Sequence, residues 1–109
     1  MEIDREFLKG SISLLLLNLL SRGAMYGYEI IQEASRRSAN AFAFKEGTLY
    51  PALHQLEKKG LIQSEWRMGD NGRERKYYSL TAKGKKKAAD YENQWRHLTG
   101  AIGAVLESE

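Results

Sequence analysis

The chain has 109 residues, 42% of them hydrophobic and 28% charged, the composition of one globular domain with a modest core. It contains no cysteine, which excludes disulfides, thiolate metal sites and cysteine nucleophiles and suits a reducing cytoplasm. The net charge of +3 is unevenly spread: residues 1–44 hold five Lys/Arg and five Asp/Glu, residues 45–87 hold eleven and five, and residues 88–109 hold one and four. The middle segment is a local cation that favours a polyanionic partner, although a solvated lysine-rich face gives similar counts.

Residues 3–21 have helical spacing, with Leu8, Ile12, Leu15 and Leu19 on one stripe and Phe7, Leu14 and Leu17 widening it. A helix this apolar is expected to be buried on several sides. Its run Leu14 to Leu20, interrupted by Asn18, is too short to span a bilayer and has no cleavage-site pattern, so no membrane segment is expected. Ser21-Arg22-Gly23 ends the helix, with Gly23 as a left-handed cap.

A second helix is predicted over Tyr26 to Ser38, with Ile30, Ile31 and Ala34 inward and Tyr28 and Gln32 nearer the surface. Gly27 near its start points to close packing or a terminal position, since glycine costs about 1 kcal/mol in a helix interior. The loop Ala39 to Phe44 is mixed, with Phe42 and Phe44 as anchors.

The stretch Glu46 to Ile62 predicts a short amphipathic helix with Leu49, Leu53 and Leu56 inward and a second face left free. Thr48 is the expected N-cap, which places Pro51 early enough for its missing N–H to matter little. Lys58-Lys59-Gly60 sets cations on the negative end of the helix dipole and a glycine at the turn. Two extended runs follow, Leu61 to Arg67 and Arg75 to Leu80, around a polar tip containing Asn71-Gly72: a cationic β-hairpin, or wing.

Thr81 caps a last helix that runs towards the end of the chain. Ala88, Tyr91, Trp95, Leu98, Ile102 and Val105 fall at alternating spacings of three and four, an a/d seam that calls for a second helix of its own kind. The expected fold is therefore α+β and mostly α: a winged helix-turn-helix over residues 1–80, with a two-stranded wing, and a long C-terminal dimerisation helix over residues 81–109. A helix fits the major groove of duplex DNA, and a charged hairpin beside it reaches phosphates or the adjacent minor groove.

Tyr26-Gly-Tyr-Glu-Ile, Gly47-Thr-Leu-Tyr-Pro-Ala-Leu, Leu56-Glu-Lys-Lys-Gly-Leu-Ile and Arg75-Lys-Tyr-Tyr-Ser-Leu-Thr-Ala-Lys-Gly together resemble the PadR-like transcriptional regulators. The motifs span most of the chain, and the form is that of small members with a single C-terminal helix. The resemblance implies a homodimeric winged-helix repressor of inverted-repeat operators, often controlling detoxification, efflux or stress genes. Larger members carry a multi-helix C-terminal domain, so an effector pocket located there is not implied for this chain.

The candidate contacts to double-stranded DNA are Tyr28, Lys45, Thr48, Tyr50, His54, Gln55, Lys58, Arg73, Arg75 and Lys76. His54 and Gln55 face base edges, Gln55 being suited to bidentate pairing with adenine. Tyr50 is equally readable as half core and Lys58 as merely solvated. Lys45 reads as a phosphate contact in preference to a cap, because a cation there opposes the helix dipole. Lys83, Lys85, Lys86 and Lys87 rank below the wing, as such a run is usually solvent face. Trp95 reads as a dimer-core aromatic or, compatibly, as one of two rings lining a cleft for a flat apolar effector. Trp66 is expected to be structural. His54 and His97 are isolated, and neither metal-ligand spacing, a cofactor motif nor a nucleophile with its base occurs, so no enzyme, cofactor or metal is expected. A protein-binding winged helix is the rival reading; such a surface would expose apolar residues on the wing where this one carries cations.

Overall fold

The computed structural model describes residues 10–108. In chain order its elements are α1 (Ile12–Leu20), β1 (Met25–Tyr26), α2 (Gly27–Arg37), α3 (Glu46–Lys58), β2 (Ile62–Met68), β3 (Glu74–Leu80) and α4 (Ala82–Glu107). The chain is mostly helical, with a small antiparallel sheet in the order β1-β3-β2.

Residues 3–9 of the first predicted helix, including Phe7 and Leu8, lie outside the described residues. Within α1 the most buried positions are Leu16, Leu17, Leu19 and Leu20, while Ile12 and Leu15 pack only partly against the core. The predicted stripe is thus rotated. A helix apolar on nearly all sides carries no phase of its own, so its neighbours α2, α3, α4 and the sheet choose the deepest face.

Strand β1 has no counterpart among the predicted elements. It pairs Met25 with Tyr78 and Tyr26 with Tyr77, adding a third strand to the expected hairpin and moving the start of α2 from Tyr26 to Gly27. Two residues are too few to show alternation. In α2, Ile30 and Ala34 are buried as predicted. A β-carbon on Gly27 would collide with the Tyr50 hydroxyl, so the glycine lets the starts of α2 and α3 meet. At the other end of α2, Glu33 accepts from Arg36 and Arg37, both at 2.8 Å. Phe42 and Phe44 stack with ring centres 6.4 Å apart, and Phe44 enters the core.

Helix α3 begins earlier than predicted. The Lys45 carbonyl accepts from the amides of Thr48 at 3.0 Å and Leu49 at 2.9 Å, so the first turn closes around Lys45 and Thr48 is not the N-cap. Lys45 is the cap residue through its backbone, with no side-chain cap bond. Pro51 therefore lies inside the helix, and its missing N–H removes the usual donor to the Gly47 carbonyl. Gly47 is exposed, so water is within reach of that carbonyl and the loss is small. Glu46 in the first turn offsets the unfavourable cation before it.

The end of α3 and the start of α4 are joined by a compact set of contacts. Gly60 turns at a φ of 76°, a left-handed conformation open to glycine. Thr81 donates its hydroxyl to the Gly60 carbonyl at 2.7 Å, and the same oxygen accepts from the Gly84 amide at 3.0 Å as the α4 cap. Lys83 Nζ donates to the Lys59 carbonyl at 2.8 Å. Gly84 is buried, and a β-carbon there would overlap the Leu61 carbonyl oxygen.

Candidate nucleic-acid interface

The apolar spacing of α3 orients it. Leu49, Leu53 and Leu56 are buried in the shared core, which turns Tyr50, Pro51, His54, Gln55 and Lys58 outward as one exposed face. Thr48 is partly covered, and Lys45 is exposed just before the helix. Tyr50 is part core and part surface: its hydroxyl end packs over Gly27, yet 38% of the residue is exposed. The Gly27 contact also sets Tyr28, 60% exposed, beside the start of α3. Seven of the ten predicted contacts thus gather on and around one helix.

The other three lie on the wing. Its register pairs Trp66 with Lys76, Arg67 with Arg75 and Met68 with Glu74. Arg73 is exposed in the turn, its amide donating to Asn71 Oδ1 at 3.2 Å and its carbonyl accepting from Gly69 at 2.7 Å. Arg75 is partly covered and stacks 4.4 Å over the Tyr26 ring. Lys76 leans over Tyr78 at 5.7 Å. Burial, with smaller contributions from Glu57 and Tyr50, pushes the Tyr78 phenol above its ordinary value of 10.0. Arg67, absent from the predicted contacts, bridges Glu65 at 2.5 Å and lies 4.9 Å from the Tyr77 ring centre. Alternation along β2 and β3 carried the signal for it.

Trp66 corrects the expectation of a structural tryptophan: it is 66% exposed, and Met68 on the same side is 67% exposed. The core ends one register step earlier, at Ser64 and Tyr78. Of the lysine run, Lys83 is held by the Lys59 carbonyl, Lys87 lies 5.2 Å from the Tyr91 ring centre, and Lys85 and Lys86 are exposed.

The seam on α4 divides in two. Ala88 is buried in the chain's own core and Tyr91 packs against that core, because the first turns of α4 lie against α1 and β3. Ala88 is therefore not left free for a second copy. The uncovered remainder is Trp95, Leu98, Ile102 and Val105, exposed by 45%, 51%, 46% and 72%. Among the described residues no cluster of His, Asp or Glu is placed to hold a metal ion, and no helix is long and apolar enough to cross a membrane.

Residues 16–90 match the model of the transcriptional regulator PadR-like family. Among relatives, the chain is 38% identical over 81 residues to the transcriptional regulator Rv3488 of Mycobacterium tuberculosis, covering 74% of this chain and 72% of that protein. It is 29% identical over 76 residues to the negative transcriptional regulator PadR of Bacillus subtilis, covering 70% of this chain and 42% of that protein. The crystal structure of a PadR family transcriptional regulator from Eggerthella lenta superposes with a TM-score of 0.82 at 33% identity, covering 95% of this chain and 88% of that one. These relatives are regulators of transcription and not enzymes.

Proposed function

The chain belongs to the PadR-like family and is a DNA-binding transcriptional regulator, and from that premise we propose that it acts in the cytoplasm as a homodimeric repressor of an inverted-repeat operator. Residues up to 80 bind DNA, and the helix from residue 81 pairs with its copy. The outward face of α3, from Tyr50 to Lys58, enters the major groove with His54 and Gln55 at base edges, while Lys45, Thr48, Tyr28 and the wing residues Arg73, Arg75 and Lys76 hold the flanking backbone. The observation that carries this reading is the pairing of two unfilled surfaces: the polar face of α3 and the apolar strip Trp95 to Val105 on α4. The first suits a groove and the second suits a copy of itself. Repression is supported by the similarity to the negative regulator of Bacillus subtilis. A flat apolar ligand stacking between two Trp95 rings across the pair would release DNA by shifting the strip.

The test is a footprint on the DNA immediately upstream of the chain's own gene, with and without planar aromatic compounds. Two protected half-sites about one helical turn apart are expected. Equal affinity for random duplex would sink sequence-specific binding, and unchanged protection and tryptophan emission at saturating compound would sink the effector. One observation favours the rival protein-binding reading, the exposed Trp66 and Met68 on the wing. An affinity for DNA that stays flat with salt would support that rival.

A further inference from the structure

The register of the hairpin separates two unlike faces. Glu65, Arg67, Arg75 and Tyr77 share one of them, and Tyr26 joins it through its pairing with Tyr77. That face is closed on itself. Arg67 bridges Glu65 and lies over Tyr77, Arg75 lies over Tyr26, and the two tyrosine rings meet edge to face at 5.4 Å.

The opposite face begins against α3, where Ser64 donates to Glu57 at 2.7 Å and Tyr78 is buried. It then runs outward past the core with Trp66 and Met68 open to solvent and Lys76 directly across from the indole. On the first face Arg67 and Arg75 lie over tyrosine rings, whereas the large apolar groups on the α3 side have no cover among the described residues. An exposed indole beside a cation fits a surface with an anionic rim and apolar walls. The minor groove of DNA is such a surface, with phosphates along its edges and deoxyribose carbons inside them, and apolar side chains enter it in other proteins. The pattern stops at Met68, whose cross-strand partner is the anionic Glu74.

We propose that Trp66 is a DNA contact of the wing, packing its indole against deoxyribose edges beside the half-site while Lys76 meets the neighbouring phosphate. This rests on the reading that α3 and the wing together bind duplex DNA, and it adds a residue whose contribution comes from apolar contact and not from charge. It also accounts for exposed apolar surface that otherwise favours a protein partner.

The experiment uses the full chain and a duplex selected by it from random DNA. Labelling with 5-fluorotryptophan gives one ¹⁹F resonance for each of the two tryptophans, and the resonance missing in Trp66→Phe identifies Trp66. Saturating duplex is expected to shift that resonance. Trp66→Ala is expected to weaken binding on the order of tenfold while leaving the slope of affinity against salt unchanged. Lys76→Ala is instead expected to reduce that slope by about one. A retained thermal midpoint shows that Trp66→Ala is folded, and partial recovery with phenylalanine supports stacking. An unmoved resonance at saturating duplex, or wild-type affinity in Trp66→Ala, overturns the proposal and assigns the patch to a protein partner. If the unsubstituted chain selects and binds no duplex, the DNA reading fails and this proposal fails with it.

Discussion

Gly84 sits in the first turn of α4, where a good helix former would ordinarily serve better. Its reason is non-local: the Leu61 carbonyl occupies the space a β-carbon needs. Gly84→Ala is expected to destabilise the chain by about 1–3 kcal/mol, the usual cost of overpacking, measured as a lower urea midpoint at unchanged slope. Stability equal to wild type would mean that the two segments separate freely. Glu33 shows a local effect instead. The hydrogen bond from Arg36, reinforced by Arg37, holds its carboxylate down from 4.5 to about 2. Its folded-state affinity for protons is lowered, so its contribution is present above the unfolded value and fades as pH falls towards the folded one. Glu33→Gln should therefore lower the thermal midpoint slightly at pH 7, with the gap to wild type closing between about pH 4.5 and pH 2. The effect is small because the group is open to solvent. The Glu33 pairs were available from i,i+3 and i,i+4 spacing; nothing local to Gly84 shows what it touches.

At the scale of elements, periodicity identified the inward residues of α3 because Leu49, Leu53 and Leu56 are buried on one side only. Its start was less legible. Thr48 is a better capping residue than Lys45 in general, but the preceding loop is anchored by buried Phe44, and the chain enters the helix one residue later. Strand β1 is visible only through its partner β3. The wing was legible as a hairpin, yet alternation does not say where the core beneath it ends, and Trp66 lies beyond that end. The two parts of the interface should respond differently to substitution. Gln55→Ala is expected to relax preference at one base pair, costing about 1–3 kcal/mol there. Arg73→Glu is expected to weaken binding to all sequences and flatten the salt dependence. Binding to a panel of single-base operator variants distinguishes the two patterns, and their reversal would mean that α3 and the wing exchange roles.

The described residues measure 60 × 31 × 21 Å, far from round, because the 26-residue α4 continues after its contacts with the core have ended. The repeat of threes and fours marked an apolar seam, but it could not separate Ala88, consumed by the chain's own core, from Leu98, left outside. Leu98→Glu places a charge in the uncovered strip at a position 51% exposed in the single chain. It is expected to leave the fold's circular dichroism intact and to convert the protein to monomers in sedimentation. Operator affinity should then fall on the order of a hundredfold as the second half-site is lost. A dimer that persists would move the interface elsewhere. The bonds from Thr81, Lys83 and Gly84 to the last residues of α3 and its turn then take on a mechanical meaning. At about 1.5 Å per residue, α4 is a rod roughly 39 Å long, clamped at its root to the helix proposed to meet DNA. A tilt of about 5° about the far end of such a rod carries its root by roughly 3 Å, close to the 3.4 Å rise of a single base pair. In the proposed dimer the spacing between half-sites is thus a length held by the stiffness of one joint, and loosening that joint would blur the ruler before it weakened the grip.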